Sequence, residues 1–248
     1  MTRALILIPS RLGATRLPRK PLADINGEPM IVHVWRRAME ADVGEAIVAT
    51  DTPEIAEAVE AAGGKAIMTR ADHQSGSDRI FEAVEKLGAN AQADIVVNVQ
   101  GDQPVLDPAL IRESISLLDD PSVDIGTLAA PIHEPSDVME PSFVKVVGTP
   151  LSTPNTLRAL YFTRSAAPYG PGPLYHHIGL YAYRRAALTR FVALPPAPLE
   201  IREKLEQLRA LEAGMRIDVK IVDSAPMSVD TPADLERVRA HLATKGDH

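Results

Sequence analysis

Residues 4–22 read ALILIPSRLGATRLPRKPL. The first five, Ala4–Ile8, are apolar without alternation, the pattern of a strand covered on both faces of a sheet. The stretch that follows, residues 9–22, carries Arg11, Arg16, Arg19 and Lys20, and no acid occurs before Asp24. In open α/β sheets ligands sit at the carboxyl ends of the strands. Four cations directly after a first buried strand therefore read as an anion clamp, with a polyphosphate as the natural anion. The alternative is a solvated basic loop, the usual meaning of a charge run.

The rest of the chain extends the same pattern. Helical spacing over Pro29–Ala41 is followed by a strand at Glu45–Thr50, and a helix at Pro53–Ala62 closes on Gly63-Gly64. Next come a short strand at Ala66–Met68, a helix at Ser77–Leu87, a strand at Asp94–Val99, a helix at Pro108–Leu118 and a strand at Asp124–Pro131. This alternation predicts an α/β fold with a doubly wound, mostly parallel sheet. Beyond residue 131 the pattern loosens into a smaller mixed α+β second half. Its predicted strands are Phe143–Val147, Leu157–Phe162, Ile178–Tyr183 and Arg216–Val222. A Pro- and Gly-rich loop spans Thr163–Tyr175, and amphipathic helices are expected at Leu199–Ala213 and Pro232–Thr244. Met30, Trp35 and Met39, at helical spacing, read as core.

Composition bounds the function. With 248 residues and 45% hydrophobic content, a single large domain can bury a sizeable core. The absence of cysteine excludes disulfides and thiol catalysis. A net charge of −7 argues against a nucleic-acid partner and sets off the cation-rich loop. No apolar run approaches the roughly 20 residues of a membrane-spanning helix, and the N-terminus does not read as a signal peptide. A soluble, cytoplasmic protein is expected, with no membrane insertion.

Neither GxxxxGK[ST] nor GxGxxG occurs, so the phosphate site is neither a P-loop nor a dinucleotide fingerprint. Asp102, in Gln100-Gly101-Asp102 after a buried strand, reads as a Mg²⁺ ligand or, equally, as a turn residue capping the helix at Pro108. Asp230, before Pro232, reads first as the cap of the final helix and second as a partner carboxylate for the same metal. The polar loop Asp72–Arg79 offers backbone N–H groups to a base edge or phosphate, or is an ordinary Ser-capped helix start. His176-His177, adjacent on a strand, place their rings on opposite faces and do not suggest a metal pair.

The segments IPSRLGATRLPRKPLADINGEPMIVHVWRRA (8–38), IVATDTPEIAEAVEAAGGKAIMTRADHQSGSDRI (47–80), VVNVQGDQPVL (96–106), HHIGLYAYRR (176–185), PLEIREKLEQLRALEAG (198–214) and VDTPADLERVRA (229–240) run nearly from one end of the chain to the other. Together they resemble the 3-deoxy-manno-octulosonate (Kdo) cytidylyltransferases. The resemblance implies a glycosyltransferase-A-like nucleotidyltransferase fold over a single domain, 1–248, with residues 131–215 serving acceptor binding and dimerisation. It implies a Mg²⁺-dependent transfer of CMP from CTP to Kdo for lipopolysaccharide synthesis, by a homodimer. It places Pro9, Ser10, Arg11, Lys20, Gln74, Ser75 and Gly76 on the nucleotide, and Asp102 and Asp230 on the metal. Arg16, Gln100, Arg164, His177, Tyr183, Glu206 and Gln207 line the sugar-acid pocket, and Arg11, Arg16, Lys20 and Asp102 are the catalytic set. Two departures stand out: Arg19 occupies a position that is often glycine in the family, and the loop between Arg164 and His177 is short. Close alternatives are an 8-amino-Kdo or other sugar-acid substrate, or a non-catalytic nucleotide-binding protein. A nucleotide-sugar glycosyltransferase is disfavoured because Gly101–Gln103 reads Gly-Asp-Gln in place of Asp-x-Asp.

Overall fold

A computed structural model describes residues 3–13, 17–88 and 93–245. They divide into two compact units, one up to Ile111 and again from Pro226, the other Arg112–Ala225.

The first unit contains β1 (Ala4–Ser10), a small hairpin of β2 (Asp24–Ile25) and β3 (Glu28–Pro29), α1 (Met30–Met39), β4 (Gly44–Thr50), α2 (Pro53–Ala61), β5 (Lys65–Met68), α3 (Gly76–Leu87) and β6 (Ile95–Asn98). Its four main strands lie in the order β5–β4–β1–β6, all parallel. Ile6, Leu7 and Ile8 are fully buried at the centre of this sheet. Each contributes about 1.5–3 kcal/mol by leaving water. Opposite faces of β1 meet different helices. A methyl group built at Gly101 would touch Ile8 and Ile31 of α1, whereas Gly76, at the head of α3, sits against Pro9. Consecutive strand residues face opposite sides, so α1 and α3 cover the two faces of the sheet. Met30 is core as expected, but Met39 is 42% exposed, because α1 ends there and its last turn points outward.

The predicted boundaries hold to within a few residues, with instructive shifts. β1 runs on through Pro9 and Ser10, which the sequence assigns to the loop. α3 starts at Gly76 with Ser75 as its cap, so the capping residue lies two positions before the expected helix start at Ser77. The final helix, Pro232–Lys245, packs through Leu235 and Val238 against Ile25, Met30 and Val229. Arg239 on that helix donates to the Asp24 carbonyl. The chain leaves the first unit within α4 (Pro108–Ser116).

The second unit contains β7 (Ile125–Pro131), α5 (Pro135–Met139), β8 (Lys145–Pro150), β9 (Thr156–Thr163), β10 (Tyr175–Arg184), α6 (Arg185–Ala193), α7 (Pro198–Glu203), α8 (Gln207–Glu212) and β11 (Ile217–Ile221). Its strands follow the order β10–β7–β11–β9–β8; β11 runs parallel to β7 and the other pairs are antiparallel. Tyr175 and His176 of β10 also pair with β8, which closes this circuit of strands at one end. α6 was not foreseen; its Ala187, Leu188 and Phe191 are buried.

The single amphipathic helix expected over Leu199–Ala213 is in fact two, α7 and α8, broken where Lys204 adopts φ +56°. Tertiary bonds override the periodicity there. The Glu203 carboxylate accepts from Thr163 Oγ1, Tyr161 Oη and the Arg164 N–H, all on or beside β9. Glu200 is held across the break by the Arg209 guanidinium, at 2.7 Å from Nε.

β10 starts at Tyr175, so His176 and His177 lie inside the strand. The His176 ring packs at a tilt against Phe143, and the His177 ring meets Phe162 edge to face. His177 is buried, with Nε2 3.0 Å from Thr127 Oγ1. Thr127 has one hydroxyl proton and lies 2.8 Å from the Leu180 carbonyl, so it donates there and accepts from His177. Burial first, then the neighbouring His176, pulls the His177 pKa down to about 3. An unfolded chain would protonate this histidine near pH 6.5. Between those values only the unfolded state takes the proton, so acidification below about pH 6.5 favours unfolding. The expected result is that, between pH 6.5 and 5, wild type loses about 2 kcal/mol more stability than His177→Gln. Urea unfolding at the two pH values checks this; parallel losses would contradict the burial of a neutral ring.

Candidate active site

The site residues of the first unit form two adjoining groups. Pro9, Ser10, Arg11, Gln74, Ser75 and Gly76, all assigned to the nucleotide by sequence, line one cavity. His73, Arg79 and Gln100 complete its wall. β1 supplies Pro9 and Ser10, Arg11 follows it directly, and Gln74–Gly76 stand at the capped start of α3, on neighbouring parts of the sheet rim. Close backbone approach needs the two glycines: a Cβ at Gly101 would lie 3.0 Å from the Pro9 carbonyl, and one at Gly76 would lie 3.2 Å from the Pro9 ring. Ser75 Oγ accepts from the Asp78 N–H at 3.1 Å and so anchors the helix start that faces the cavity. Ser10 Oγ and Asn98 Oδ1 are buried without a hydrogen-bond partner.

Two residues past Gln100 stands Asp102. Lys20 Nζ lies 3.0 Å from Asp102 Oδ2 and 3.1 Å from Asp230 Oδ1. The Val229 N–H donates to the Asp102 carbonyl at 2.9 Å, and this bond brings residue 230 beside residue 102. Burial lowers the proton affinity of Lys20, but Asp102 and then Asp230 outweigh it, so its pKa ends above the ordinary value. Lys20 is therefore an ammonium at neutral pH.

The caps that the sequence offered to these carboxylates are formed by other residues. Asp102 does not cap the helix at Pro108, because Asp107 Oδ1 accepts from the Ala109 N–H at 2.8 Å. Asp230 does not cap the final helix, although capping is the first sequence reading. Thr231 Oγ1 accepts from the Asp234 N–H, and Asp234 accepts from the Thr231 N–H in return. That reciprocal pair leaves the Asp230 carboxylate to face Lys20.

The three described cations of the opening loop have different partners. Arg11 lines the cavity and Lys20 joins the carboxylates. Arg19 turns to Glu54 at 3.6 Å, both of them more than half exposed, a contact worth little. Its φ of +55° is the left-handed conformation that glycine adopts most easily. Arg16 lies outside the described residues.

Arg79, at the end of the Asp72–Arg79 loop, has a role that the sequence does not mark. Its side chain is 3% exposed, and its guanidinium meets Asp51 at 2.8 Å, Thr69 Oγ1 at 2.7 Å and the Arg70 carbonyl at 3.3 Å. One turn on, Glu82 binds His73, Lys86 and the Arg70 N–H. Burial raises the Glu82 pKa, but Lys86, His73 and Arg70 more than offset this and bring it down to about 2. This network fixes the loop that carries Gln74–Gly76. No local pattern marks this role, because the partner Asp51 stands at the end of β4, three elements before α3.

The remaining site residues belong to the second unit. Arg164 donates from Nε, Nη1 and Nη2 to the carbonyls of Glu203, Pro141 and Lys204. His177, Tyr181 and Tyr183 form a run of neighbouring rings that ends on Phe191. Glu206, at the head of α8, is near enough to help raise the Tyr181 pKa, after burial and Tyr183. Gln207 is buried beside it in α8.

A rim cavity beside paired carboxylates at the carboxyl end of a parallel sheet is the place where open α/β enzymes bind their ligands, and comparisons with known proteins make this one a nucleotidyltransferase. Residues 5–217 match the cytidylyltransferase family. A 3-deoxy-manno-octulosonate cytidylyltransferase of Methylobacterium radiotolerans is 66% identical over 98% of each chain. One from Rhodopseudomonas palustris is 65% identical, over 96% of this chain and 97% of its own. The structure of a CMP:2-keto-3-deoxy-manno-octonic acid synthetase complexed with CTP superposes with a TM-score of 0.90 at 45% identity, covering 98% of this chain and all of its own. The chain belongs to the 3-deoxy-manno-octulosonate cytidylyltransferase family.

Proposed function

We propose that this enzyme transfers CMP from CTP to the anomeric 2-hydroxyl of Kdo and releases pyrophosphate, with Mg²⁺ held by Asp102 and Asp230. The observation that carries the proposal is the approach of these two carboxylates, from distant parts of the chain, to a single cation two residues beyond the cavity wall at Gln100.

The donor set fits the ion. Magnesium takes one or two carboxylates and completes its shell with water and substrate phosphate oxygens. Among the described residues no cluster of three or more His, Cys, Asp or Glu could cage a metal. Two carboxylates therefore suit an ion that arrives with a triphosphate. When bound, Mg²⁺ neutralises phosphate charge and polarises the reacting phosphoryl group.

The chain's own residues supply position and charge. Gln74, Ser75 and Gly76 hold the cytidine against the capped start of α3. Arg11 and Lys20 offset the triphosphate charge as the acceptor, itself an anion, approaches the α-phosphorus in line with the leaving pyrophosphate. Arg16 is assigned between phosphate and acceptor. We place Kdo against the 131–215 subregion, with Gln100, Arg164, His177, Tyr183, Glu206 and Gln207 as its binding residues. His177, with a pKa of about 3, is too weak a base at neutral pH to take the hydroxyl proton, so its role is to shape the pocket. The proposal extends to a homodimer acting in the cytoplasm to supply lipopolysaccharide synthesis; no described helix is long and apolar enough to cross a membrane.

Offering CTP and Mg²⁺ with Kdo, 8-amino-Kdo or a sialic acid, and weighing the nucleotide product by mass spectrometry, tests the acceptor. CMP-Kdo is the expected main product. Efficient use of another acid with no turnover of Kdo would contradict the assignment.

A further inference from the structure

The ammonium of Lys20 and a divalent cation need the same oxygens. Nζ sits 3.0 Å from Asp102 Oδ2 and 3.1 Å from Asp230 Oδ1, and its side chain is only 15% exposed. The partners lie 82 and 210 residues away in sequence, so the contact is a product of the fold and not of local chain geometry. We infer that Lys20 is a displaceable internal counter-ion of the metal site: its ammonium and the divalent cation exclude one another, and metal entry frees Nζ for the triphosphate. This deepens the proposed function and rests on Asp102 and Asp230 being the metal carboxylates.

The backbone supports an exchange in which only one side chain moves. The Lys20 main chain is fixed by its N–H to the Leu17 carbonyl at 3.1 Å and by the Ala23 N–H to its own carbonyl at 3.1 Å. Pro21, the next residue, is buried. The carboxylates are brought together independently of Lys20, by the Val229 N–H on the Asp102 carbonyl and by the packing of Val229 with Leu235 and Val238. A flexible four-carbon stem on a fixed Cα lets Nζ leave without disturbing either anchor. A compact point charge can also be exchanged for a metal ion more readily than a two-pronged arginine, which would hold a carboxylate through two bonds.

Two consequences follow. Metal alone must compete with the ammonium and binds weakly. Metal and CTP together bind cooperatively, because the displaced ammonium gains a phosphate partner, and this coupling is reciprocal.

Lys20→Met removes the charge and keeps the stem. Mn²⁺ binding to nucleotide-free protein, followed by loss of the free-ion electron paramagnetic resonance signal, should tighten by about tenfold or more in Lys20→Met, since an opposing unit charge a few ångströms away is gone. Adding Asp102→Asn to that variant should cancel the gain. Equal or weaker binding by Lys20→Met, with Asp102→Asn still abolishing it, overturns the counter-ion role and leaves the metal carboxylates standing. No binding by any variant at millimolar Mn²⁺ overturns both. A second measurement uses the unaltered chain: acetylation of Lys20 by an amine-reactive reagent, read by peptide mass spectrometry, should accelerate several-fold with Mg²⁺ alone and be suppressed when CTP joins it. An acetylation rate unmoved by saturating Mg²⁺ would also overturn the inference.

Discussion

Asp102→Asn is expected to lower turnover by about 10³-fold at saturating CTP, Kdo and Mg²⁺, the range that follows when a group that stabilises transition-state charge is removed. The substitution keeps the size of the side chain and removes its charge. The fold here is anchored by the backbone carbonyl, which accepts from the Val229 N–H, and Lys20 keeps Asp230 as its ion-pair partner. Thermal unfolding should therefore change little while activity collapses. The two readouts separate a metal role from a structural one. Undiminished turnover at high Mg²⁺ would remove Asp102 from the metal site, and a matching loss of stability would make it a structural residue.

Arg79→Met is expected to produce a large loss of stability. Asp51, with a side chain only 13% exposed, would keep its charge and lose its guanidinium partner. Removing one member of a buried ion pair costs about 3–5 kcal/mol, much of it the desolvation of the charge left behind. The Thr69 hydroxyl and the Arg70 carbonyl lose a donor at the same time. Urea unfolding measures the effect. The double variant Arg79→Met/Asp51→Leu should recover much of the loss, since it removes the stranded charge. A single-variant loss below about 1 kcal/mol would show that the pair is effectively solvated.

The contrast between these two sites explains what the sequence discloses. Asp102 is legible because it follows a continuous apolar strand and a glycine, a local pattern that marks the sheet rim. Arg79 is not, because its meaning depends on Asp51, 28 residues earlier on another strand end. Asp230 lies between these cases. Its neighbours spell a helix start, and only the Thr231–Asp234 exchange, together with the long-range Val229 bond, shows that the cap is one residue further on.

The same division runs through the fold. The runs Ala4–Ile8 of β1, Ala46–Ala49 of β4 and Ile95–Val97 of β6 are apolar without interruption because both faces are covered, and their positions could be read directly. The break between α7 and α8 could not. Residues 199–213 keep helical periodicity across Lys204, and the chain bends because Glu203 is claimed by β9 and Glu200 by Arg209. Long-range hydrogen bonds decide the backbone there, and periodicity counts only one element at a time.

Pyrophosphate release from CTP and Mg²⁺, measured with and without Kdo, tests the central claim most directly. The account predicts release that requires Kdo and stops when EDTA removes the metal. Release without Kdo, or Kdo-dependent release that persists in EDTA, would contradict it, the first by denying the acceptor and the second by denying the metal at Asp102 and Asp230.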